Sequence, residues 1–460
     1  MTDDFEWVEE GDCEDCHSNS QVHEAYDVSR SMRPQCKCLV SSILPSRERI
    51  VTEAFVNSPV GIYLSVPFCK AKCSFCNFAS DAFAPERMDA YVERLCGEIA
   101  GARRAAQDMG ASLGRVADSV YFGGGTPSLL SAAQFRRIFA ALREQFDITG
   151  DVETTLECAP GQLAAETLDE LLRQGVNRVS LGVQSFVDRE AQAVGRLHTR
   201  TICEEEIARL QAAGVKEIGI DLIAGLPHQT EESWRFSIES ALASGVTHVS
   251  VYMLEVDEES RLGREVIAGG ARYGASRLPA EDEAAAWYEL GCGLLAAGGV
   301  QQYEISNFAR EGHFSRHNLK YWRRLPYIGF GLDAHSMLPA DTDAMRFQNA
   351  DDLDVYMNGK AEGPFAVLTK GASRPELEHV GREAALEESL FLGLRLNEGV
   401  RLDRLREQFG GEMVASVMPG IAEACEAGLL ATDGERIALT SHGRMASNEV
   451  FSRLLIPVVA

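Results

Sequence analysis

Three cysteines, Cys69, Cys73 and Cys76, lie within eight residues of one another and directly follow an apolar run rich in β-forming residues. Pro67 cannot donate a hydrogen bond to a sheet, so the strand is expected to end where the thiols begin. Thiolates are the ligands of iron–sulfur clusters, whereas a mononuclear metal site usually has four ligands. The alternative is that the thiols are three small buried hydrophobic groups. The spacing predicts an iron–sulfur cluster bound by this loop.

The chain after Gly61 alternates short β-forming runs with longer segments of helical period. Five further strands are predicted at residues 116–122, 151–158, 178–183, 217–223 and 248–254. Helices are predicted at residues 85–108, 131–145, 165–175, 201–214 and 231–244. Six βα units imply a parallel sheet but are too few for a closed eightfold barrel. We therefore predict an α/β fold built on an open (β/α)6 partial TIM barrel.

Glycines and polar residues follow the predicted strands, where parallel sheets bind their ligands. The glycine-rich turn at residues 123–127 lets backbone approach a ligand closely, and the Glu157 carboxylate can accept both hydroxyls of a ribose. A single polar residue at a strand end is often structural, but its recurrence at successive ends indicates a binding site. The candidate residues are Gly124, Gly125, Thr126, Glu157, Gln184, Arg196 and Asp221.

The charge and composition of the chain argue against several classes of protein. A formal net charge of −25 over 460 residues argues against a nucleic-acid-binding protein, which needs a basic face. No apolar run approaches the roughly 20 residues of a membrane span, and the acidic N-terminus lacks the basic start of a signal peptide. The twelve cysteines are too sparse for a disulfide scaffold. We expect a cytoplasmic protein in a reducing compartment.

Residues 1–58 differ from the rest of the chain, because they begin acidic and show no clear period. We expect a disordered or loosely attached tail. It contains Cys13, Cys16, His17, Cys36 and Cys38. The CxxCH pattern is typical of covalent haem attachment, which normally follows export, and a CxxC with a CxC suits zinc. No site, a zinc site and a haem site all stay open.

The CxxxCxxC loop, with Phe75 just before its last cysteine, resembles the signature of the radical S-adenosylmethionine (radical SAM) superfamily. That resemblance implies that Cys69, Cys73 and Cys76 hold three irons of a [4Fe-4S] cluster. The fourth iron is then left for the amino and carboxylate groups of S-adenosylmethionine. The implied chemistry is reductive cleavage to a 5′-deoxyadenosyl radical, which the protein positions and shields. The superfamily is known for open partial barrels.

The runs YFGGGTPSLL, RVSLGVQSF, GRLH, DLIAGLP and YEISNFAR resemble one branch of that superfamily, over about residues 61–455. This branch contains oxygen-independent coproporphyrinogen dehydrogenases and haem chaperones. The resemblance implies that S-adenosylmethionine is contacted by Tyr63, the backbone around Phe75, Gly124 and Glu157. The residues that it implies at the border of the S-adenosylmethionine sites, some of them at a second molecule, are Gly125, Thr126, Gln184, Arg196 and Asp221. Whether a second molecule binds stays open.

Two features separate the relatives within this branch. The dehydrogenases carry another cysteine two positions beyond the third ligand, and here that position is Phe78. The chaperones typically have an aspartate after the third cysteine, where this chain has Asn77. The run HNLKYW at residues 317–322 resembles the HNxxYW motif of the chaperones. The missing cysteine and the HNLKYW run favour the haem chaperones, whereas Asn77 is a mild departure from their pattern.

Imidazole is a suitable axial ligand for haem iron, and the motif places His317 beside flat apolar side chains. We predict His317 as the haem ligand, with Tyr321 and Trp322 beside the ring. His313 and His335 are the competing histidines. The basic residues expected to meet the haem propionates are Lys320, Arg323 and Arg324.

The predicted domains are an N-terminal tail at 1–58, the partial barrel at 59–310, a haem-motif and connecting region at 311–374, and a helical, winged-helix-like domain at 375–460. Three helices are predicted in the last domain at residues 383–394, 402–409 and 418–428. A short strand at residues 437–439 precedes a final helix capped by Thr440 or Ser441. The C-terminal module resembles that of the same branch.

The predicted function is a haem chaperone that uses a [4Fe-4S] cluster and S-adenosylmethionine and transfers haem to an apoprotein. The alternatives are a coproporphyrinogen III dehydrogenase and a cluster-bearing scaffold without radical chemistry. The expected partners are haem, a haem-accepting protein and an electron donor. Nucleic acid and a membrane span are not expected, and peripheral membrane contact stays open.

Overall fold

The computed structural model describes residues 55, 57–80, 86–341, 343–358 and 377–456. The cysteine-containing tail at 1–54, with its alternative zinc and haem sites, lies outside the described residues. The described chain is organised by a twelve-stranded sheet with the order β12-β11-β10-β9-β1-β2-β3-β4-β5-β6-β8-β7. Its strands are β1 Val60–Val66, β2 Val116–Gly124, β3 Asp147–Cys158, β4 Arg178–Gln184, β5 Glu217–Ala224, β6 His248–Met253, β7 Gln301–Gln302, β8 Asn307–Ala309, β9 Tyr327–Phe330, β10 His335–Pro339, β11 Ala344–Gln348 and β12 Glu378–Val380.

Helices connect the strands and cover one face of the sheet. Those before the C-terminal domain are α1 Glu86–Asp108, α2 Ala132–Gln145, α3 Ala165–Gln174, α4 Asp188–Ala193, α5 Arg200–Ala212, α6 Glu231–Ala243, α7 Arg261–Ile267, α8 Glu281–Ala297, α9 Arg316–Trp322 and α10 Leu353–Asn358. Local signals set several ends: Ser131 forms a capping box with Gln134 at the start of α2, and Gly175 ends α3 in the left-handed conformation.

The prediction of an open (β/α)6 partial barrel is confirmed. Strands β1 to β6 pair in parallel in chain order, with at least one helix between each pair, and β6 does not pair with β1. The sheet extends beyond this barrel on both sides, since β9 pairs in parallel with β1 and β8 pairs antiparallel with β6. The added strands are two to five residues long and too short to show a period in the sequence.

The two faces of the barrel strands differ in chemistry because side chains alternate between them. Residues such as Ile62, Val120 and Leu156 lie on the outer face and are buried in the main hydrophobic core under the helices. The inner face, which lines the space that we call the lumen, is largely polar. Its residues include Tyr63, Ser119, Tyr121, Glu153, Glu157, Ser180, Asp221 and Ser250. The strands therefore hold these polar side chains in the lumen.

Residues 313–324, which we call the plug, cross the lower end of the lumen, where the parallel strands begin. The plug is tied to three of these strands. His313 Nδ1 lies 2.7 Å from Glu217 on β5, the Arg316 amide donates to Glu153 on β3 at 2.9 Å, and Lys320 pairs with Asp118 on β2 at 2.7 Å. The upper end, at the carboxyl ends of the strands, is where the cysteine loop lies.

A second hydrophobic core forms the C-terminal domain from residues 380–454 and also includes Phe55, Met337 on β10 and Ala344 on β11. Its helices are α11 Arg382–Gly393, α12 Leu402–Phe409, α13 Gly411–Glu426, α14 Ser441–Met445 and α15 Ser447–Arg453, and its strands are β13 Val400–Arg401, β14 Leu430–Thr432 and β15 Arg436–Leu439. The strands form an antiparallel sheet of order β13-β15-β14. The predicted small helical domain is confirmed, and Thr440 caps α14 through the Gly443 amide.

One helix boundary in this domain was predicted wrongly. The helix expected at residues 418–428 begins seven residues earlier, at Gly411, and Pro419 lies inside it. Proline disfavours a helix interior, because it removes one hydrogen bond and crowds the preceding turn. The sequence pattern therefore did not indicate the first two turns of this helix, at residues 411–417.

A buried ion-pair network joins the plug, the sheet extension and the C-terminal domain. Arg324 at the end of the plug lies 2.7 Å from both Asp343 and Glu388, and its side chain is 2% exposed. Glu388 on α11 also pairs with Arg346 on β11 at 2.8 Å. One helix of the C-terminal domain is thus connected to the end of the plug.

Among the residues that the structure describes, no helix has both the length and the apolar character needed to span a bilayer.

Candidate functional site

The cysteine loop follows β1 at the upper end of the lumen, as predicted. Its three thiols are half-buried. The Ser74 amide donates to the Val194 carbonyl at 3.0 Å, and the Leu262 amide donates to the Ser74 carbonyl at 2.8 Å. The loop is therefore held between the chain after α4 and the start of α7.

Each thiol of the loop has a polar neighbour from the surrounding chain. These contacts are Thr126 Oγ1 at 3.7 Å from Cys69 Sγ, Arg196 Nη1 at 3.4 Å from Cys73 Sγ and Ser80 Oγ at 3.9 Å from Cys76 Sγ. Hydrogen bonds to cluster sulfurs tune iron–sulfur centres, so this set of donors fits a cluster. Burial raises the pKa of the Cys69 and Cys76 thiols, and bound iron would favour their thiolates.

Within the described part of the chain, no three His, Cys, Asp or Glu side chains converge in the way that a single metal ion requires. A [4Fe-4S] cluster is bound differently, because each thiolate contacts its own iron. The Arg196 Nε atom is also buried without a hydrogen-bond partner in the protein. A buried donor of this kind beside the cysteine loop fits a bound ligand with acceptor atoms.

The glycine-rich turn after β2 packs directly on the chain that enters the cysteine loop. The Gly125 amide donates to the Val66 carbonyl at 2.8 Å, and the Thr126 amide donates to the Phe68 carbonyl at 2.7 Å. A Cβ on Gly125 would lie 2.7–2.9 Å from backbone atoms of Val66 and Phe68. Only glycine fits there, and Gly125 and Thr126 position the cysteine loop. Gly124, one residue earlier, has a φ of +98°.

Glu157 lies at the upper end of β3 with its carboxylate in the lumen. Tyr121 on the neighbouring strand donates its hydroxyl to Glu157 Oε1 at 2.9 Å. Burial, followed by the nearby negative charge of Asp221, raises the pKa of Glu157 to about 7. The Tyr63 ring stacks on Tyr121, with centroids 6.0 Å apart. Glu157 and Asp221 are thus brought together, as their strand positions predicted, and Tyr63, which the family resemblance implied, lies beside them.

Asp221 and Gln184 line the same side of the lumen. Asp221 accepts a hydrogen bond from Ser180 at 3.1 Å, and burial raises its pKa. Gln184 has a φ of +68°, at the point where the register between β4 and β5 shifts. A left-handed conformation at a residue with a side chain costs about 1–2 kcal/mol, and such strain clusters at functional sites. Arg196 contacts this strand through the Gly182 carbonyl.

Phe75 anchors the cysteine loop. Its half-buried ring packs against a small apolar cluster formed by Val194, Ile223, Leu226 and Leu254. Val194 follows α4, Ile223 lies in β5, and Leu226 and Leu254 follow β5 and β6. The side chain therefore has a structural partner of its own, and contact of its backbone with a ligand stays a prediction.

His317 lies at the lower end of the lumen and not at the surface. Its side chain is buried, with the whole residue 1% exposed. Nδ1 lies 3.0 Å from Ser119 Oγ, and Nε2 lies 2.9 Å from the Tyr321 hydroxyl. Burial, followed by the charge of Lys320, lowers the pKa of His317 to about 3, so the ring is neutral. In this conformation both ring nitrogens are occupied, and haem ligation by His317 stays a prediction.

The basic residues and competing histidines that were predicted near haem have different environments. Lys320 and Arg324 are buried and paired with carboxylates, whereas Arg323 is exposed and pairs with Glu398 at 3.0 Å. The buried pairs have a structural role in this conformation. His313 is half-buried against Glu217, and His335 is an exposed residue at the start of β10.

Three residues at the lumen were missed by the sequence analysis, namely Ser119, Tyr121 and Glu153. All three lie on the inner face of β2 or β3 and contact either His317 or Glu157. Strand alternation could have identified them as inner-face residues. Ser119 and Tyr121 precede Gly123 by four and two positions, and Glu153 precedes Glu157 by four. Their partners lie far away in the chain, and no spacing rule connects them.

Two family models match this chain. Residues 63–241 match the radical SAM superfamily, and residues 380–446 match the HemN C-terminal domain. A protein of Lactococcus lactis that is named heme chaperone HemW is 33% identical over 87% of this chain and 98% of its own length. The chain belongs to the HemW family of the radical SAM superfamily. The HemW of Bacillus subtilis is 32% identical over 85% of this chain and 98% of its own length.

The chain shares its fold with a solved structure, the coproporphyrinogen III oxidase HemN of Escherichia coli. HemN superimposes with a TM-score of 0.71 over 88% of this chain and 92% of its own, at 22% identity. This likeness establishes the fold alone. Membership in the radical SAM superfamily indicates a [4Fe-4S] cluster and S-adenosylmethionine as cofactors of the domain.

Proposed function

We propose that this protein is a haem chaperone that binds haem, a [4Fe-4S] cluster and S-adenosylmethionine and transfers haem to an acceptor protein. The observation that carries the proposal is the relation to HemW of L. lactis over 98% of that protein's length. Phe78 supports it, since this position lacks the cysteine of the dehydrogenases and instead exposes 63% of an aromatic residue beside the cysteine loop. The partners required are a haem-accepting apoprotein and an electron donor.

The proposed roles of the residues follow their positions. Cys69, Cys73 and Cys76 hold the cluster, which with S-adenosylmethionine supplies radical chemistry when bound. Glu157 accepts the ribose hydroxyls, and Tyr63, Gly124 and the backbone at Phe75 line the same pocket. The residues proposed to border it are Gly125, Thr126, Gln184, Arg196 and Asp221. The lumen shields this pocket, because strands surround it and the plug lies across its lower end.

Haem titration of the anaerobically reconstituted protein tests the chaperone proposal. We expect a Soret shift that saturates at one haem per chain, and no conversion of coproporphyrinogen III to protoporphyrinogen IX. Absence of haem binding, or such turnover, would contradict the proposal. The turnover result would establish the dehydrogenase instead.

The same titration identifies the haem ligand. His317→Ala, His313→Ala and His335→Ala are compared, and the predicted result is loss of the Soret shift in His317→Ala alone. Because His317 is buried between Ser119 and Tyr321, that result requires the plug to open when haem binds. Loss of the shift in one of the other two variants would place haem outside the lumen and would refute His317 as the ligand.

Binding at Glu157 is expected to depend on pH. The raised pKa of about 7 leaves roughly one tenth of the carboxylate ionised at pH 6, and the ionised form is the better acceptor for two hydroxyls. The affinity for S-adenosylhomocysteine should therefore fall by up to about tenfold from pH 8 to pH 6. Isothermal titration calorimetry measures this change.

Two variants make the assignment of the pH dependence specific. Glu157→Gln should bind weakly and without the pH dependence. Asp221→Asn removes the charge that raises the Glu157 pKa, so the loss of affinity should move to lower pH. An unchanged pH profile in Glu157→Gln would show that another group is responsible.

A further inference from the structure

The His317 ring is held on both edges, which fixes its orientation. Ser119 on β2 contacts Nδ1 at 3.0 Å, and Tyr321 of the plug contacts Nε2 at 2.9 Å. The ring plane is therefore determined by one group from the barrel and one from the plug. A buried side chain with both polar atoms satisfied is a rigid element.

The backbone that carries His317 is fixed to the barrel as well. Glu153 on β3 accepts hydrogen bonds from the Arg316 and His317 amides, both at 2.9 Å. Lys320 pairs with Asp118 on β2 and donates to the Pro59 carbonyl before β1 at 2.9 Å. Helix α9 therefore cannot shift relative to β1, β2 and β3 without breaking buried polar contacts.

The His317 ring supports Tyr121 from below. The two rings stack with centroids 5.1 Å apart and an interplanar angle of 27°. Tyr63 completes the group, with its centroid 6.0 Å from Tyr121 and 6.4 Å from His317. The three centroids form a triangle, so Tyr121 packs against both other rings, and these contacts restrict the direction of its hydroxyl.

That direction is towards Glu157, which needs a fixed donor. The Tyr121 hydroxyl donates to Glu157 Oε1 at 2.9 Å, and the Gly124 amide is a further donor. Asp221 brings a second buried carboxyl group close by, and two like charges repel each other. The carboxylate of Glu157 would otherwise be free to turn, so its orientation depends on these donors.

We propose that His317 is a positioning residue of the S-adenosylmethionine site: it holds Tyr121, and Tyr121 aims Glu157 at the ribose. This inference rests on the proposed S-adenosylmethionine pocket and extends it to the plug at the opposite end of the lumen. The motif HNLKYW then serves the adenosine pocket, whether or not its histidine also meets haem.

The test is a double-mutant cycle in the full-length, reconstituted protein, with S-adenosylhomocysteine as a probe that is not cleaved. His317→Ala and Tyr121→Phe should each weaken its binding about tenfold, as expected for loss of one hydrogen bond to a carboxylate. Because both act through the same contact, the double variant should also lose about tenfold rather than a hundredfold. His313→Ala, another plug histidine bound to a strand carboxylate, should retain the affinity.

Iron content and thermal unfolding confirm that each variant is folded. An unchanged affinity in folded His317→Ala overturns the inference, and so do losses that multiply in the double variant or an equal loss in His313→Ala. Should His317→Ala fail to fold, Ser119→Ala and Tyr321→Phe each remove one partner of the ring and should weaken binding about threefold. Failure of the unmutated protein to bind the probe would instead refute the S-adenosylmethionine pocket itself.

Discussion

Replacement of Cys69, Cys73 or Cys76 by alanine is expected to abolish the iron–sulfur absorption of the anaerobically reconstituted protein. Each thiolate is expected to hold its own iron, so loss of one removes a covalent anchor. The loop cannot compensate by moving, because Ser74 ties it to Val194 and Leu262. Iron and sulfide analysis should fall from about four atoms of each per chain to near zero.

Two sets of control variants make this experiment specific. Cys96→Ala and Cys292→Ala alter half-buried thiols on helices α1 and α8, and both should retain the full cluster. Cys13→Ser and Cys16→Ser test whether the N-terminal tail contributes to the bound iron. A triple alanine variant of the loop that still binds stoichiometric iron and sulfide would refute the cluster assignment.

Arg324→Ala is expected to lower the free energy of unfolding by about 3–5 kcal/mol, the usual cost of removing one partner from a buried ion pair. Asp343 and Glu388 would remain buried near each other, and among the described residues only Glu388 has a second cation, Arg346, at 2.8 Å. The network joins the plug to the C-terminal domain, so its loss should loosen both. Urea unfolding followed by tryptophan fluorescence measures the change.

The adjacent residue is the matched control for this prediction. Arg323 forms a 3.0 Å pair with Glu398 in which both side chains are about half exposed, and Arg323→Ala should cost less than about 1 kcal/mol. Adding Asp343→Asn to Arg324→Ala should recover part of the lost stability, because it removes an unpaired buried charge. Equal costs for Arg323→Ala and Arg324→Ala would contradict the role of burial.

The strand ends of the barrel were predictable because a parallel sheet obeys a local rule. Its strands appear as short β-forming runs, and their carboxyl ends meet at one edge. Glu157 and Asp221, which are 64 positions apart in the sequence, are therefore expected near each other, and the charge of Asp221 raises the Glu157 pKa. The short strands of the sheet extension carry no comparable signal.

The residues that support the site were not predictable in this way. Tyr121 and Ser119 are ordinary inner-face residues of a strand, and Glu153 precedes Glu157 by four positions on the next strand. Their importance comes from His317, whose Nδ1 contact with Ser119 spans 198 residues of chain. Propensity and spacing describe near neighbours and contain no information about such a contact.

The sequence by itself determined the open (β/α)6 barrel, the position of the cysteine loop after its first strand and the strand ends at which a ligand is predicted to bind. Each of these depends on residue type and on short periods along the chain, which the local backbone converts directly into strands and loops. Only the tertiary structure decided the surroundings of His317. The motif predicts this residue as a haem ligand, but burial and a hydrogen bond to the distant Ser119 make it part of the polar interior of the barrel. Desolvation and hydrogen bonding depend on every chain segment packed around a side chain, which the sequence does not show.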